Sequence, residues 1–167
     1  MNPFGLFLFF GLSFIHLLAE FVFQPPALWN WEKRSSWGII AHCFIFGVLG
    51  IIFFFPFLNQ GLMWWYIIFL SAIHFPFDHF KHSWLTEGKD SDAVMLLDQI
   101  AHFFWFGLAA YYGSTELRAG WLNLGGIYNN FLFPLGLTIL ALIISYRQIL
   151  KQWRGNKISK IFCNDGH

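Results

Sequence analysis

Long apolar runs separated by short polar breaks repeat along the chain, and each run approaches the ~20 residues a helix needs to cross ~30 Å of hydrocarbon. The first extends from about Phe4 to Gln24 and stops at Pro25 and Pro26, which cannot continue a helix. After the loop ALWNWEKRSS a second run covers Trp37 to Leu58, closed by a tight turn at Asn59 to Gly61. The third runs from Met63 to Lys81 with a kink expected at Pro76, and the polar loop HSWLTEGKDSD leads to the fourth, Ala93 to Tyr112. The segment GSTELRAGWLNLGGIYNN then covers one surface before the fifth run, Phe131 to Ile149. This pattern predicts an all-α fold, a polytopic transmembrane helix bundle of about five spans. Residues 1–149 make one helical domain and 150–167 a basic cytoplasmic tail. The N-terminal stretch lacks a basic n-region and a small-residue cleavage site, so it reads as a retained first span.

Within these runs the polar positions are few and regularly placed. His16, Glu20 and Gln24 recur every fourth residue on the first span, and His74 and Asp78 share a face of the third. The second span carries His42 near its start; the fourth carries Asp98, Gln99 and His102 in its first half. Counting ~1.5 Å per residue from the cytoplasmic boundary puts Glu20, His42, Asp78 and Asp98 roughly 5 to 8 Å deep. The same count puts His16, His74 and His102 roughly 10 to 13 Å deep. Four helices thus bring ionisable groups to one level, in two layers. The fifth span brings none and is assigned to packing. An ionisable group inside a membrane costs about 2.5 to 3.5 kcal/mol on insertion scales, so each one needs a partner or a function.

Charge sets the direction of the spans. With the first loop in the cytoplasm, that side holds Lys33, Arg34, Lys81, Lys89, Arg147, Lys151, Arg154, Lys157 and Lys160, leaving Arg118 outside. The positive-inside rule then puts the N-terminus outside and the C-terminus in the cytoplasm, as expected in a bacterial inner membrane. Composition agrees: 57% of the 167 residues are hydrophobic and 11% charged, against about 25% charged in soluble domains. Trp29, Trp31, Trp37, Trp64 and Trp65 suit interfacial belts. Cys43 and Cys163 form no CxxC pair, so neither a disulfide framework nor a thiolate metal site is indicated, and the scattered charges give nucleic-acid binding no support.

Imidazoles and carboxylates at one depth are the ligands of a divalent cation, zinc before manganese or iron, and their number suffices for one or two ions. The candidate metal ligands are His16, Glu20, His42, His74, Asp78, Asp98 and His102. Glu20, Asp78 and Asp98 are the candidate catalytic carboxylates. Gln24 and Gln99 orient neighbours by hydrogen bonding, and Lys81 either holds an anionic group or snorkels to the interface. His79 and His82 read as interfacial, and Glu32, Lys33 and Arg34 as a solvated turn. Gly47 and Gly50 leave room for close helix approach, as in a homo-oligomer; no feature identifies a soluble partner.

The motifs HLLAEFVFQ at His16–Gln24, the isolated His42, HFPFDHFK at His74–Lys81 and DQIAH at Asp98–His102 together resemble the bacterial polytopic membrane proteins of domain-of-unknown-function family 3307. The resemblance covers roughly the first two-thirds of the chain and departs at Glu20, where the family pattern has Asp. It implies the spans and the polar positions, and no reaction. The residues themselves point first to a metal-dependent membrane enzyme, a hydrolase of a lipid or other amphiphile. The alternative is a proton- or cation-conducting transporter using the same groups. Paired-histidine haem ligation is disfavoured by the carboxylates at the same depth, and a purely structural cluster would affect stability alone.

Overall fold

Pro3 at the first position and a run of Phe and Leu start helix α1, Pro3–Phe21. In the computed structural model the described residues are 3–58, 61–86, 91–116, 134–144 and 146, and all regular structure among them is helical. Pro25 and Pro26 end the first run as expected, but Pro26 also opens a short helix α2, Pro26–Glu32, within the expected loop. Ser35 then caps α3, Ser36–Phe53, its hydroxyl accepting from the Trp37 N–H at 3.2 Å. A 3₁₀ turn, Phe55–Phe57, follows.

Helix α4, Gly61–Thr86, continues through Pro76, which supplies no N–H to the Ala72 carbonyl. It also outruns the expected end at Lys81 by five residues, so His82 is helical and extends the stripe of His74 and Asp78. Helix α5 covers Ser91–Glu116 and α6 Pro134–Ile144. The basic tail, the 117–133 segment, Asn59, Gln60 and the ends of the fifth run lie outside the described residues.

The main helix contacts close a ring: α1 on α3, α3 on α4, α4 on α5 and α5 on α1, with α2 laid against α3. α6 reaches α1 through Thr138, whose hydroxyl lies 2.8 Å from both the Phe10 carbonyl and its own helix's Pro134 carbonyl. Accordingly, 67% of the most apolar window of α1 is buried inside the molecule, against 33% for α3. Gly47 and Gly50 are spent inside the chain. A Cβ at Gly47 would stand 2.8 Å from Ser71 Oγ, and one at Gly50 3.1 Å from Ile67 Cγ2, so both serve the α3–α4 contact.

Among the described residues, three helices are long and apolar enough to cross a membrane: Pro3–Phe21, Ser36–Phe53 and Ala93–Thr115. Their outward faces carry large bare side chains, among them Phe44 and Phe104, exposed by 71% and 67%. The core is divided along the bundle axis. One half is apolar, built on Phe4, Phe7, Leu8, Phe54, Phe57 and Met63. The other holds the buried histidines and carboxylates.

Candidate functional site

Helical periodicity builds the site, because residues four apart on α1 and α4 present one stripe to the bundle axis. His16, His74 and His102 are fully buried at the border with the apolar half, each with a ring nitrogen within 4.8 Å of the others'. The rings of His16 and His102 stack at 4.5 Å between centroids, and those of His74 and His102 lie 4.4 Å apart. Phe46 and Phe106 form the boundary on the apolar side: Phe46 stacks on His74 at 4.8 Å, and Phe106 lies 5.5 Å from His16 and 6.1 Å from His102.

Hydrogen bonding selects which nitrogens remain free. His102 Nδ1 lies 2.9 Å from the Asp98 carbonyl, which can only accept, so Nδ1 carries the proton and Nε2 keeps its lone pair. His16 Nε2 donates to Gln99 Oε1 at 3.1 Å, which leaves Nδ1 as the lone pair. Both remaining nitrogens, His16 Nδ1 and His102 Nε2, are buried without a hydrogen-bond partner. One nitrogen held by an amide or carbonyl and the other bare is how a metal-ligating histidine is presented. This set therefore fits a divalent cation.

Next to the histidines lies a layer of carboxylates around one ammonium. Lys81 Nζ stands 2.8 Å from Asp78 Oδ1, 3.0 Å from Glu20 Oε1 and 3.4 Å from Asp98 Oδ2. His42 Nε2 faces the same group, at 3.3 Å from Glu20 Oε2, 3.6 Å from Asp78 Oδ2 and 3.4 Å from His74 Nε2. Asp78 Oδ2 also lies 3.3 Å from His74 Nε2, and Asp98 Oδ1 3.3 Å from His102 Nδ1. Glu20 Oε2, both oxygens of Asp78 and Asp98 Oδ1 are near these charges yet aligned with no donor, so acceptor capacity is left over. Two further groups of three can share an ion: His42, His74 and Asp78; and Asp78, Asp98 and His102. Asp78 and His74 thus join the layers.

All seven expected metal ligands fall in this cluster, and Gln99 bridges it by accepting from His16 and donating to Asp98 Oδ2 at 3.2 Å. Lys81 does not snorkel; it is buried at the centre of the carboxylates. Gln24 is displaced from the cluster and donates to both oxygens of Glu32, at 2.9 and 2.7 Å. The reading of Glu32 as a solvated turn is corrected: α2 turns it inward, and it is 2% exposed. His82 is likewise buried rather than interfacial, its Nε2 donating to Glu32 Oε2 at 3.1 Å. His79 is exposed on the outer face of α4.

A groove of about 420 Å³ opens between α4 and α5 beside this layer. Phe77, Phe80, Trp84, Val94 and Leu97 wall it, and Lys81 and Asp98 supply its polar lining. A second groove of about 550 Å³ on the same seam is walled by Trp65, Tyr66, Phe69, Trp105 and Leu108.

Fold and site together define a helical bundle with a buried histidine and carboxylate centre. A family model described as a protein of unknown function (DUF3307) matches residues 8–125, which include every residue of this centre, and the chain belongs to that family. No curated protein and no solved structure matches the chain.

Proposed function

We propose that this protein is a metal-dependent hydrolase of a lipid or other amphiphile, embedded by five spans in a bacterial inner membrane. In this reading its N-terminus is outside, and its site lies in the cytoplasmic half of the bilayer. The observation that carries the metal is the balance of buried charge. Among the described residues, Glu20, Glu32, Asp78 and Asp98 are buried with Lys81 as their one buried ammonium, which leaves three negative charges to be met by protons on the histidines or by bound cations. Uncompensated charge away from water is costly, and cations among the bare histidine nitrogens remove that penalty.

His16, His74 and His102 would hold one ion, and His42 with Asp78 a second. A divalent ion supplies Lewis acidity toward a phosphoryl or acyl oxygen. The remaining chemistry belongs to the chain. Lys81, at the lining of the α4–α5 groove, is fixed in position by three carboxylates, and with cations bound among those carboxylates it would be available to an anionic head group. Asp98 lies at the same lining, its Oδ1 buried 3.3 Å from His102 Nδ1 with no hydrogen bond accepted, and serves as the base toward an attacking water. The apolar walls take the hydrocarbon part, which water-soluble substrates lack.

Conduction is the weaker reading for a specific reason. Phe46 and Phe106, each 1% exposed with rings stacked at 6.0 Å, close the histidine layer against an apolar half-core. Such a site opens to one side. The test is metal content by mass spectrometry on protein purified in detergent without chelator or nickel affinity resin, alongside a His74→Ala/Asp78→Ala variant. Stoichiometric zinc, manganese or iron is expected in the native protein and absent from the variant, with phospholipid hydrolysis lost in parallel. A folded, metal-free native protein whose liposomes carry an Asp78-dependent ion flux would replace this reading with transport.

A further inference from the structure

Glu32 is the buried carboxylate that the spans do not account for. It comes from α2, a seven-residue helix between two spans, and reaches the site because Gly38 lets the backbones of α2 and α3 touch. A Cβ at Gly38 would lie 2.6 Å from Trp31 C and 2.7 Å from Glu32 Cα, closer than side-chain carbons approach backbone. Once there, the carboxylate is held from two sides, by Gln24 on both oxygens and by His82 on Oε2. Its Oε1 faces His42 Nδ1 at 3.8 Å, and that nitrogen is buried without a hydrogen-bond partner. The other nitrogen of the same ring, Nε2, points at His74, Asp78 and Glu20.

From this arrangement we infer that Glu32 is the positioning residue of His42, and that α2 is a working part of the site. The inference rests on the proposed metal centre. A carboxylate on the far nitrogen of a ligating histidine fixes the ring and raises its basicity. The gap from Oε1 to Nδ1 exceeds a hydrogen bond by less than an ångström, and such contacts tighten when the site fills. Gln24 and His82 then have a defined role: they keep the carboxylate on His42.

The test uses the full-length protein in detergent with Co²⁺ as probe, read by its absorption bands and by titration. Glu32→Gln is expected to weaken Co²⁺ binding by about 10- to 100-fold and to shift the bands, with the melting temperature of the metal-free protein little changed. Glu32→Asp keeps the charge and is expected to fall between the two. In a His42→Ala background, Glu32→Gln should have no further effect, because the residue it positions is gone. His82→Ala should reproduce a small part of the loss.

Unchanged affinity and spectrum in Glu32→Gln overturn the inference, as does a loss that persists in full without His42. If Glu32→Gln does not fold, Glu32→Asp decides alone: native affinity and an unshifted spectrum overturn the inference. A native protein that binds no Co²⁺ overturns the metal reading itself and this inference with it.

Discussion

At the scale of single residues, Lys81 does the least expected thing. Three carboxylates converge on its ammonium at 2.8, 3.0 and 3.4 Å, in a region where water does not share the charge. Removing one partner of such a buried set leaves the others unpaired and typically costs 3 to 5 kcal/mol. Lys81→Met, which keeps the stem and deletes the charge, is therefore expected to lower the stability of the metal-free protein by about that amount. A divalent cation should recover more of it than it adds to the native protein, since the vacated carboxylates become additional oxygen ligands. Thermal unfolding in detergent, with and without Zn²⁺ or Mn²⁺, measures both effects. An equal response to metal in the two proteins would show that the carboxylates take no part in binding.

At the scale of elements, the helices that carry the site were readable from spacing because the helical period is fixed. His16 with Glu20, and His74 with Asp78, must share faces if α1 and α4 form, and depth counting then aligns them with His42, Asp98 and His102. What spacing could not give was α2. Seven residues are too few for a period, the double proline reads as a stop, and EKRS looks like a solvated turn. The inward face of Glu32 exists only because α2 docks at Gly38, a tertiary event. His82 was partly legible, as the fourth residue after Asp78, but placing the end of the third run at Lys81 hid it. The groove between α4 and α5 was equally invisible, since it depends on how two helices splay. It now carries a prediction of its own: Ala101→Trp fills the groove from a position that is not itself a ligand. Metal content should remain native while KM for an amphiphilic substrate rises about tenfold, equivalent to ~1.4 kcal/mol of lost contact. A proportional loss of metal would instead mean that the wall and the centre are one packing unit.

At the scale of the whole molecule the question is which way the polar half faces. Lys81 cannot count toward orientation, because it is spent inside the site, so the bias near the first spans rests on Lys33 and Arg34. Lys33 is placed as an interfacial residue would be, its ammonium 4.6 Å over the Trp29 ring at the mouth of the polar half. If that mouth is cytoplasmic, Ser36 at the start of α3 lies inside and Leu62 at the start of α4 lies outside, both exposed. Single cysteines at these two positions, in a Cys43→Ala/Cys163→Ser background, should react with a membrane-impermeant maleimide from opposite sides. Ser36→Cys is expected to label in inside-out vesicles and Leu62→Cys in intact spheroplasts. The reverse pattern would turn the site toward the outer leaflet. The phenylalanine layer would then close it from the cytoplasm, and the lipids it could meet would be those of the opposite face.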